Sequence, residues 1–156
     1  MRCSTHTRLL ILVLPVILAL SACSYQHRWA AVDGDTKELS AQLDAGLDVN
    51  TRTPVLRTHL LALAAAHGHV ETVKLLLDRG ADINAADATG WTALHGAAYF
   101  GSAEIIQLLL DRGARIPESN WYTPTLLHLA ESRGSQSAID LLQRVEPKPP
   151  SAAAQR

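Results

Sequence analysis

Two stretches of the chain carry the same pattern of apolar and polar positions, 33 residues apart. In the first stretch Val73, Leu76 and Leu77 fall at i, i+3 and i+4, and positions 106, 109 and 110 repeat this spacing. The spacing places apolar side chains on one stripe of a helix. The heptapeptide Leu-Leu-Leu-Asp-Arg-Gly-Ala occurs unchanged at 75–81 and 108–114. A self-match at such a fixed period predicts a fold of stacked helical repeats.

Glycines recur with nearly the same period and mark the ends of the predicted helices. Gly80 and Gly113 stand where the chain must leave a helix through a left-handed residue, which glycine tolerates best. A second series falls between the two helices of each unit, at positions 34, 68, 101 and 134. The pattern therefore predicts two helices in each repeat, with a glycine turn after each helix.

Small residues cluster in the first helix of the predicted second and third units. Ala64 and Ala65 belong to the second unit, and Gly96, Ala97 and Ala98 to the third. Small side chains let neighbouring helices approach closely, so these helices are expected to pack against each other. The leucines of the apolar stripes, with Leu109 at the centre, are expected to be fully buried between units. Thr92 is the expected N-cap of the first helix of the third unit.

Residues 90–98, Gly-Trp-Thr-Ala-Leu-His-Gly-Ala-Ala, resemble the central motif of ankyrin repeats, and the Gly-Ala-Asp-Ile-Asn segment at 80–84 resembles their terminal loop. The resemblance implies an all-α ankyrin-repeat solenoid, in which each unit has a hairpin-like loop and two antiparallel helices. About four units are expected over 29–145, at 29–52, 53–86, 87–119 and 120–144, the outer two being caps. The second unit lacks a glycine before Thr58 and departs most from the motif. The proline-containing tail at 146–156 is expected to be disordered.

The N-terminus has the features of a secretory signal. Two arginines precede a twelve-residue apolar segment at 9–20, and Leu20-Ser21-Ala22-Cys23 then resembles a bacterial lipobox. The resemblance implies cleavage after residue 22, diacylglycerol on Cys23 and a short lipidated tether at 23–28. The protein would then be lipid-anchored in the bacterial envelope, most simply at the outer membrane facing the periplasm. The alternative is an ordinary signal peptide or a signal anchor in which Cys23 is incidental.

Charge and motifs exclude several classes of function. The net charge is −1, and removal of the two arginines in 1–22 leaves −3, so no basic footprint for nucleic acid is present. The sequence contains no nucleophile, zinc or phosphate-loop motif, so no enzyme activity and no cofactor are expected. His67-Gly68-His69 is read as part of a turn in preference to a metal pair. His95 and His128 occupy the motif histidine, whose ring the ankyrin resemblance assigns to structural hydrogen bonds.

The remaining class of function is binding to another protein through the surface of the repeats. In the ankyrin family partners usually contact the loop tips and the inner face of the first helices. On those positions the sequence places the aromatic residues Trp91, Tyr99 and Phe100 of the third unit and Trp121 and Tyr122 of the fourth. Trp and Tyr often carry the binding energy of interfaces, so these five are the expected partner-binding residues, with Arg133 and His67 at their polar rim. The alternative is that the rings only shield the concave face of a short stack.

The sequence therefore predicts a non-catalytic, lipid-anchored module that binds an unidentified protein as a monomeric stack. Two other functions fit the same sequence. One is an immunity-type or inhibitor lipoprotein that neutralises an envelope toxin or hydrolase. The other is a scaffold or accessory factor of a periplasmic enzyme.

Overall fold

The computed structural model describes residues 30–53, 57–117 and 124–145, and this part of the chain is helical. After a helical segment at 30–33 come α1 (Thr36–Asp44), α2 (Leu60–Ala66), α3 (Val70–Asp78), α4 (Ala93–Phe100), α5 (Ala103–Asp111), α6 (Leu126–Arg133) and α7 (Gln136–Val145). Within these ranges there is no strand, and a single antiparallel bridge joins Arg52 and His59. The predicted all-α fold is confirmed. The predicted signal peptide, lipidated Cys23 and tail lie outside the described residues.

The helices form two layers of a stack. In the second to fourth units the first helices, α2, α4 and α6, lie side by side, and the second helices, α3, α5 and α7, form the other layer with α1. Each first helix also packs against the second helix of its own unit. We call α2, α4 and α6 the inner helices and α1, α3, α5 and α7 the outer helices. None of the described helices has the length and apolar character needed to cross a membrane.

The inner helices approach each other at backbone distance. A methyl group added to Gly96 of α4 would lie 2.7 Å from the carbonyl oxygen of Ala62 and 2.9 Å from the backbone nitrogen of Ala66, both in α2. The predicted small residues Ala64, Ala65, Ala97 and Ala98 are all fully buried. The sequence-based expectation of closely packed first helices is therefore confirmed, and at Gly96 the two backbones leave no room for a side chain.

The outer helices end as their glycines predict. The backbone N–H of Gly80 donates to the carbonyl of Leu77 at 3.0 Å, and that of Ala81 donates to Leu76 at 2.9 Å. Gly80 has a φ of 84°, in the left-handed region where a side chain is strained. Gly113 repeats the arrangement with a φ of 89°. These paired bonds form a Schellman motif, which satisfies two helix-end carbonyls and turns the chain toward the next unit.

Polar side chains link successive units along the outer edge. The side-chain oxygen of Asn50 accepts the backbone N–H of Asp82 at 2.9 Å, and Asn84 accepts that of Arg115 at 2.8 Å. Near the ends of the outer helices, Arg79 pairs with Asp44 at 2.8 Å and Arg112 pairs with Asp78 at 3.0 Å. The ion pairs are exposed and each is worth at most about 1 kcal/mol. Their regular spacing keeps neighbouring units in register.

The loop of the second unit reaches the required conformation without glycine. Arg57 occupies the position equivalent to Gly90 and takes a left-handed φ of 55°. The backbone N–H of Thr53 donates to the carbonyl of Thr58 at 2.9 Å, and the N–H of Arg57 donates to the carbonyl of Thr53 at 3.0 Å. A non-glycine residue in this conformation costs about 1–2 kcal/mol. The hydrogen bonds across the loop offset that cost.

Burial of the central stripe predicts a large effect of one truncation. Leu109 in α5 is fully buried, as expected, and packs in the single core that runs through the described units. Leu109→Ala should lower the free energy of unfolding by about 2–5 kcal/mol, because it removes buried methyl groups and leaves a cavity. Urea denaturation measures this change. Gln107→Ala, at an exposed position of the same helix, should change stability by less than about 0.5 kcal/mol. Similar stabilities for the two variants would contradict the core assignment.

Candidate protein-binding surface

Trp91, Tyr99 and Arg133 form a contiguous group on the inner-helix side of the stack. The Trp91 ring stacks on the buried ring of His95, with centroids 5.3 Å apart, and packs edge-to-face with the Tyr99 ring, with centroids 6.2 Å apart. The guanidinium carbon of Arg133, in the next unit, lies 5.1 Å from the centroid of the Tyr99 ring. Tyr99 is 46% exposed although it is a large aromatic residue. We call these three residues the aromatic cluster.

The hairpin loop of the third unit holds Trp91 in place through Asp87. One carboxylate oxygen of Asp87 accepts the backbone N–H of Trp91 at 3.0 Å, and the N–H and hydroxyl of Thr89 at 2.8 and 2.6 Å. Burial by itself raises the pKa of Asp87, but the hydrogen bonds from Thr89 and Trp91 outweigh it and leave the pKa below its ordinary value. Asp87 is therefore ionised at neutral pH. The sequence pattern gave no indication of a functional role for Asp87.

Phe100 and His67 lie at a second place, the turn between α2 and α3. The Phe100 ring covers Gly68, where an added side chain would collide with it. His67 stacks parallel to His69 with centroids 6.3 Å apart. Each ring forms a hydrogen bond with a backbone carbonyl oxygen. Nδ1 of His67 lies 2.9 Å from the oxygen of Leu63, and Nε2 of His69 lies 2.6 Å from the oxygen of Val32. Both rings are thus engaged with the backbone, and no group of three or more potential metal ligands occurs among the described residues.

Of the seven residues predicted to bind a partner, the structure brings Trp91, Tyr99 and Arg133 together in the aromatic cluster. Phe100 is 43% exposed and follows Tyr99 directly in α4, but successive helix positions point about 100° apart, so its ring faces the neighbouring turn. Trp121 and Tyr122 lie outside the described residues. The five-residue aromatic patch, and partner contact by each of these side chains, stay predictions.

Beside the aromatic cluster, a cavity of about 270 Å³ opens between the second and third units. The positions equivalent to Trp91 and Tyr99 are occupied in the second unit by Thr58 and Ala66, which are much smaller. Both line the cavity, together with Ala62, Leu63, Thr89, Trp91 and Asp87. The small residues at aromatic positions were the signal in the sequence that could have predicted this opening.

A larger depression of about 750 Å³ lies elsewhere, between the outer helices α1 and α3. Its lining includes Lys74 and Glu71, which pair at 2.8 Å, and the carboxylates Asp44 and Asp78, which pair with arginines of following units. These charges are exposed and already partnered, so they add little to binding. The inner side, with its exposed aromatic rings, is the better candidate surface.

The motif histidines differ in their environments. His95 is 1% exposed, and its Nδ1 accepts the backbone N–H of Thr92 at 3.1 Å with the Thr92 hydroxyl at 3.0 Å. Thr92 is the N-cap, as predicted, and forms a capping box with His95. His128 is exposed, and its ring makes no hydrogen bond within the described ranges, so the expected structural bond is absent there.

His59 stands at the position equivalent to Thr92 and is also buried. It is 5% exposed, and neither ring nitrogen has a hydrogen-bond partner in the described part of the chain. Burial, reinforced by the nearby charge of Arg52, lowers its pKa against smaller opposing effects of the neighbouring Ala86 backbone and of Asp82 and Asp87. Burial likewise lowers the pKa of His95, against a smaller opposing effect of Asp87. Both imidazoles are therefore neutral in the folded protein at neutral pH.

Comparisons with known proteins agree with this architecture. The family model for ankyrin repeats (three copies) matches residues 27–120. The Notch-regulated ankyrin repeat-containing protein of Xenopus laevis is 39% identical over 89 residues, which cover 51% of this chain and 77% of that protein. Mouse protein phosphatase 1 regulatory subunit 12A is 50% identical over 40 residues, 26% of this chain and 4% of that protein. The human ASB11 ankyrin repeat domain superposes with a TM-score of 0.70 at 30% identity, over 78% of this chain and 54% of that one.

The buried histidines predict a loss of stability on acidification. Because their folded-state pKa values lie below the unfolded value of about 6.5, the unfolded chain binds protons that the folded chain excludes. Their contribution is fully present above pH 6.5 and is lost as the pH falls below it, by up to about 1.4 kcal/mol per pH unit for each histidine. Urea denaturation between pH 7.5 and 5.5 should therefore show decreasing stability.

His95→Asn should reduce this pH dependence, because an amide oxygen can still accept the Thr92 N–H but does not titrate. Gln107→Ala, which removes no ionisable group, is the control and should keep the wild-type slope. Equal slopes for all three proteins would contradict the assignment of a buried neutral His95.

Proposed function

Because this chain belongs to the ankyrin-repeat family, whose members are interaction modules and generally non-catalytic, we propose that it binds another protein through the aromatic cluster. The observation that carries this proposal is the position of two aromatic rings on the inner-helix side, where Tyr99 is exposed and Trp91 is half-buried. Arg133 of the next unit lies over Tyr99, so the surface spans two units. Trp, Tyr and Arg are the residues most enriched among those that dominate interface energies.

The cluster is ordered before any partner arrives. Trp91 is held by the Asp87 hydrogen bond and by its stack on His95, and Tyr99 is held between Trp91 and Arg133. Ordering a flexible side chain at an interface costs about 0.5–1.5 kcal/mol, so contacts that already restrict these rings favour binding. A mere shield for the core would not need Tyr99 to stay nearly half exposed.

The proposal also includes a lipid anchor at Cys23. The support is the lipobox-like Leu20-Ser21-Ala22-Cys23, preceded by an apolar segment of signal-peptide length. Residues 24–28 would span at most about 18 Å, so the repeats would lie close to the membrane. In this proposal the protein displays the aromatic cluster at the surface of an envelope membrane, most simply the periplasmic face of the outer membrane.

Removal of either ring of the cluster should weaken partner binding. Trp91→Ala and Tyr99→Ala should each reduce affinity by about 2 kcal/mol or more, measured on a partner identified by capture from envelopes with mass spectrometry. Lys74→Ala, on the outer helices, is the matched control and should bind normally. Circular dichroism should show helical spectra for all variants. Folded Trp91→Ala and Tyr99→Ala proteins that bind as wild type would place the docking face elsewhere.

The lipid anchor has its own test. Cys23→Ser removes the sulfur that the diacylglycerol would modify, so the variant should appear in soluble fractions or accumulate as a precursor. Metabolic labelling with a palmitate analogue should mark the wild type and leave the variant unlabelled. A wild-type protein that takes up no label would contradict the lipobox interpretation without affecting the protein-binding proposal.

A further inference from the structure

The cavity beside the aromatic cluster has apolar walls and one charged group. Ala62, Leu63 and Ala66 contribute aliphatic surface, and among the described residues that line it only Asp87 is charged. We call it the Asp87 cavity. A neutral apolar side chain would fill the volume but would leave the negative charge of Asp87 without an opposite charge beside it. The lining therefore favours a side chain with an aliphatic stem and a positive end.

The two oxygens of Asp87 are used unequally. Oδ1 already accepts three hydrogen bonds within the hairpin loop, from Thr89 and Trp91. Oδ2 has only a long 3.5 Å contact with the hydroxyl of Thr58, which also lines the cavity. Asp87 has no ion pair among the described residues, unlike the outer carboxylates Asp44 and Asp78. One carboxylate oxygen thus remains available for a cation.

We propose that the Asp87 cavity receives a lysine side chain of the bound partner protein, an inference that rests on the protein-binding function proposed above. The stem would lie along Ala62, Leu63 and Ala66, and the ammonium would donate to Oδ2 of Asp87 and to the Thr58 hydroxyl. Trp91 beside the site adds the attraction between a cation and an aromatic ring.

The geometry selects lysine over arginine. A guanidinium pairs best when both carboxylate oxygens accept its parallel N–H groups. Because three donors already occupy Oδ1, this two-point pairing is blocked at Asp87. A compact ammonium needs only Oδ2, and the neighbouring hydroxyl accepts a second of its three donors.

The direct probe is a blocked lysine. Nα-acetyl-L-lysine N-methylamide should shift the backbone amide resonances of Thr58, Ala66 and Thr89 saturably when titrated into the full-length ¹⁵N-labelled chain in detergent. The corresponding arginine derivative should bind at least about 5-fold more weakly. The norleucine derivative has the same stem without the charge and should also bind at least about 5-fold more weakly. Equal affinities for the three derivatives, or no shift at these amides, would overturn the proposal.

Two substitutions test the cavity itself. Asp87→Asn keeps an oxygen for the loop hydrogen bonds and removes the charge, and Thr58→Leu fills the cavity from the opposite wall. Each should weaken binding of the lysine derivative at least about 5-fold. Asp82→Asn is the matched control, because it removes an exposed charge outside the cavity while keeping the acceptor for the N–H of Asn84. If Asp87→Asn does not fold, Thr58→Leu decides the result.

The same variants separate this inference from the protein-binding function. If Trp91→Ala abolishes partner capture while Asp87→Asn and Thr58→Leu capture the partner normally, the lysine pocket is wrong and the protein-binding surface stands. Both proposals would be supported if all three variants lose capture and if replacement of one lysine of the partner by norleucine also abolishes it. If the lysine derivative binds but none of the three variants affects capture, the partner docks elsewhere and both proposals fail.

Discussion

Gly96 brings the backbones of α2 and α4 together so closely that even a methyl group would collide with Ala62 and Ala66. The rest of the described structure depends on this contact. No single unit can bury its apolar stripe alone, because each hairpin covers only part of its own hydrophobic surface. The second and third units therefore share one core, and Ala64, Ala65, Ala97 and Ala98 of the two inner helices are fully buried.

The spacing of the inner helices also determines the character of the candidate surface. Because equivalent positions of neighbouring units lie side by side, a change in side-chain size from one unit to the next produces a protrusion or a depression in the surface. Thr58 and Ala66 of the second unit stand beside Trp91 and Tyr99 of the third, and the difference in volume opens the Asp87 cavity. In the fourth unit Arg133 lies over Tyr99. The exposed rings and the cavity thus arise from variation on a fixed repeat.

The sequence predicted those parts of the fold that depend on periodic local chemistry. Gly80 and Gly113 predicted the helix ends, and Leu109 and the small residues of the inner helices predicted the buried face. The sequence did not predict that Arg79 and Arg112 form ion pairs with carboxylates of the preceding unit. Each arginine directly follows an aspartate in the chain, and only the stacked structure shows that it pairs with a different aspartate. Exposed side chains of this kind have no periodic signal of their own.

The candidate site was predictable in part for the same reason. Trp91, Tyr99 and Arg133 stand at positions that face partners in ankyrin repeats, and the structure brings them together. The divergence of Phe100 toward Gly68 depends on packing between separate units. The asymmetry between the two oxygens of Asp87 combines local hydrogen bonds to Oδ1 with a contact of Oδ2 to Thr58, 29 residues earlier in the chain. For His128 the prediction was wrong, because the repeat pattern assigned it the hydrogen bond of His95, whereas its exposed ring makes no hydrogen bond within the described residues.

The most direct test of this account is the sign of the stability change in Gly96→Ala, measured by urea denaturation. Helix propensity alone makes alanine more favourable than glycine inside a helix by about 1 kcal/mol. If the approach of α2 and α4 is as close as described, the variant should instead be less stable than wild type by about 1–3 kcal/mol, because the added methyl group must push the inner helices apart. A Gly96→Ala protein that is more stable than wild type would contradict the account.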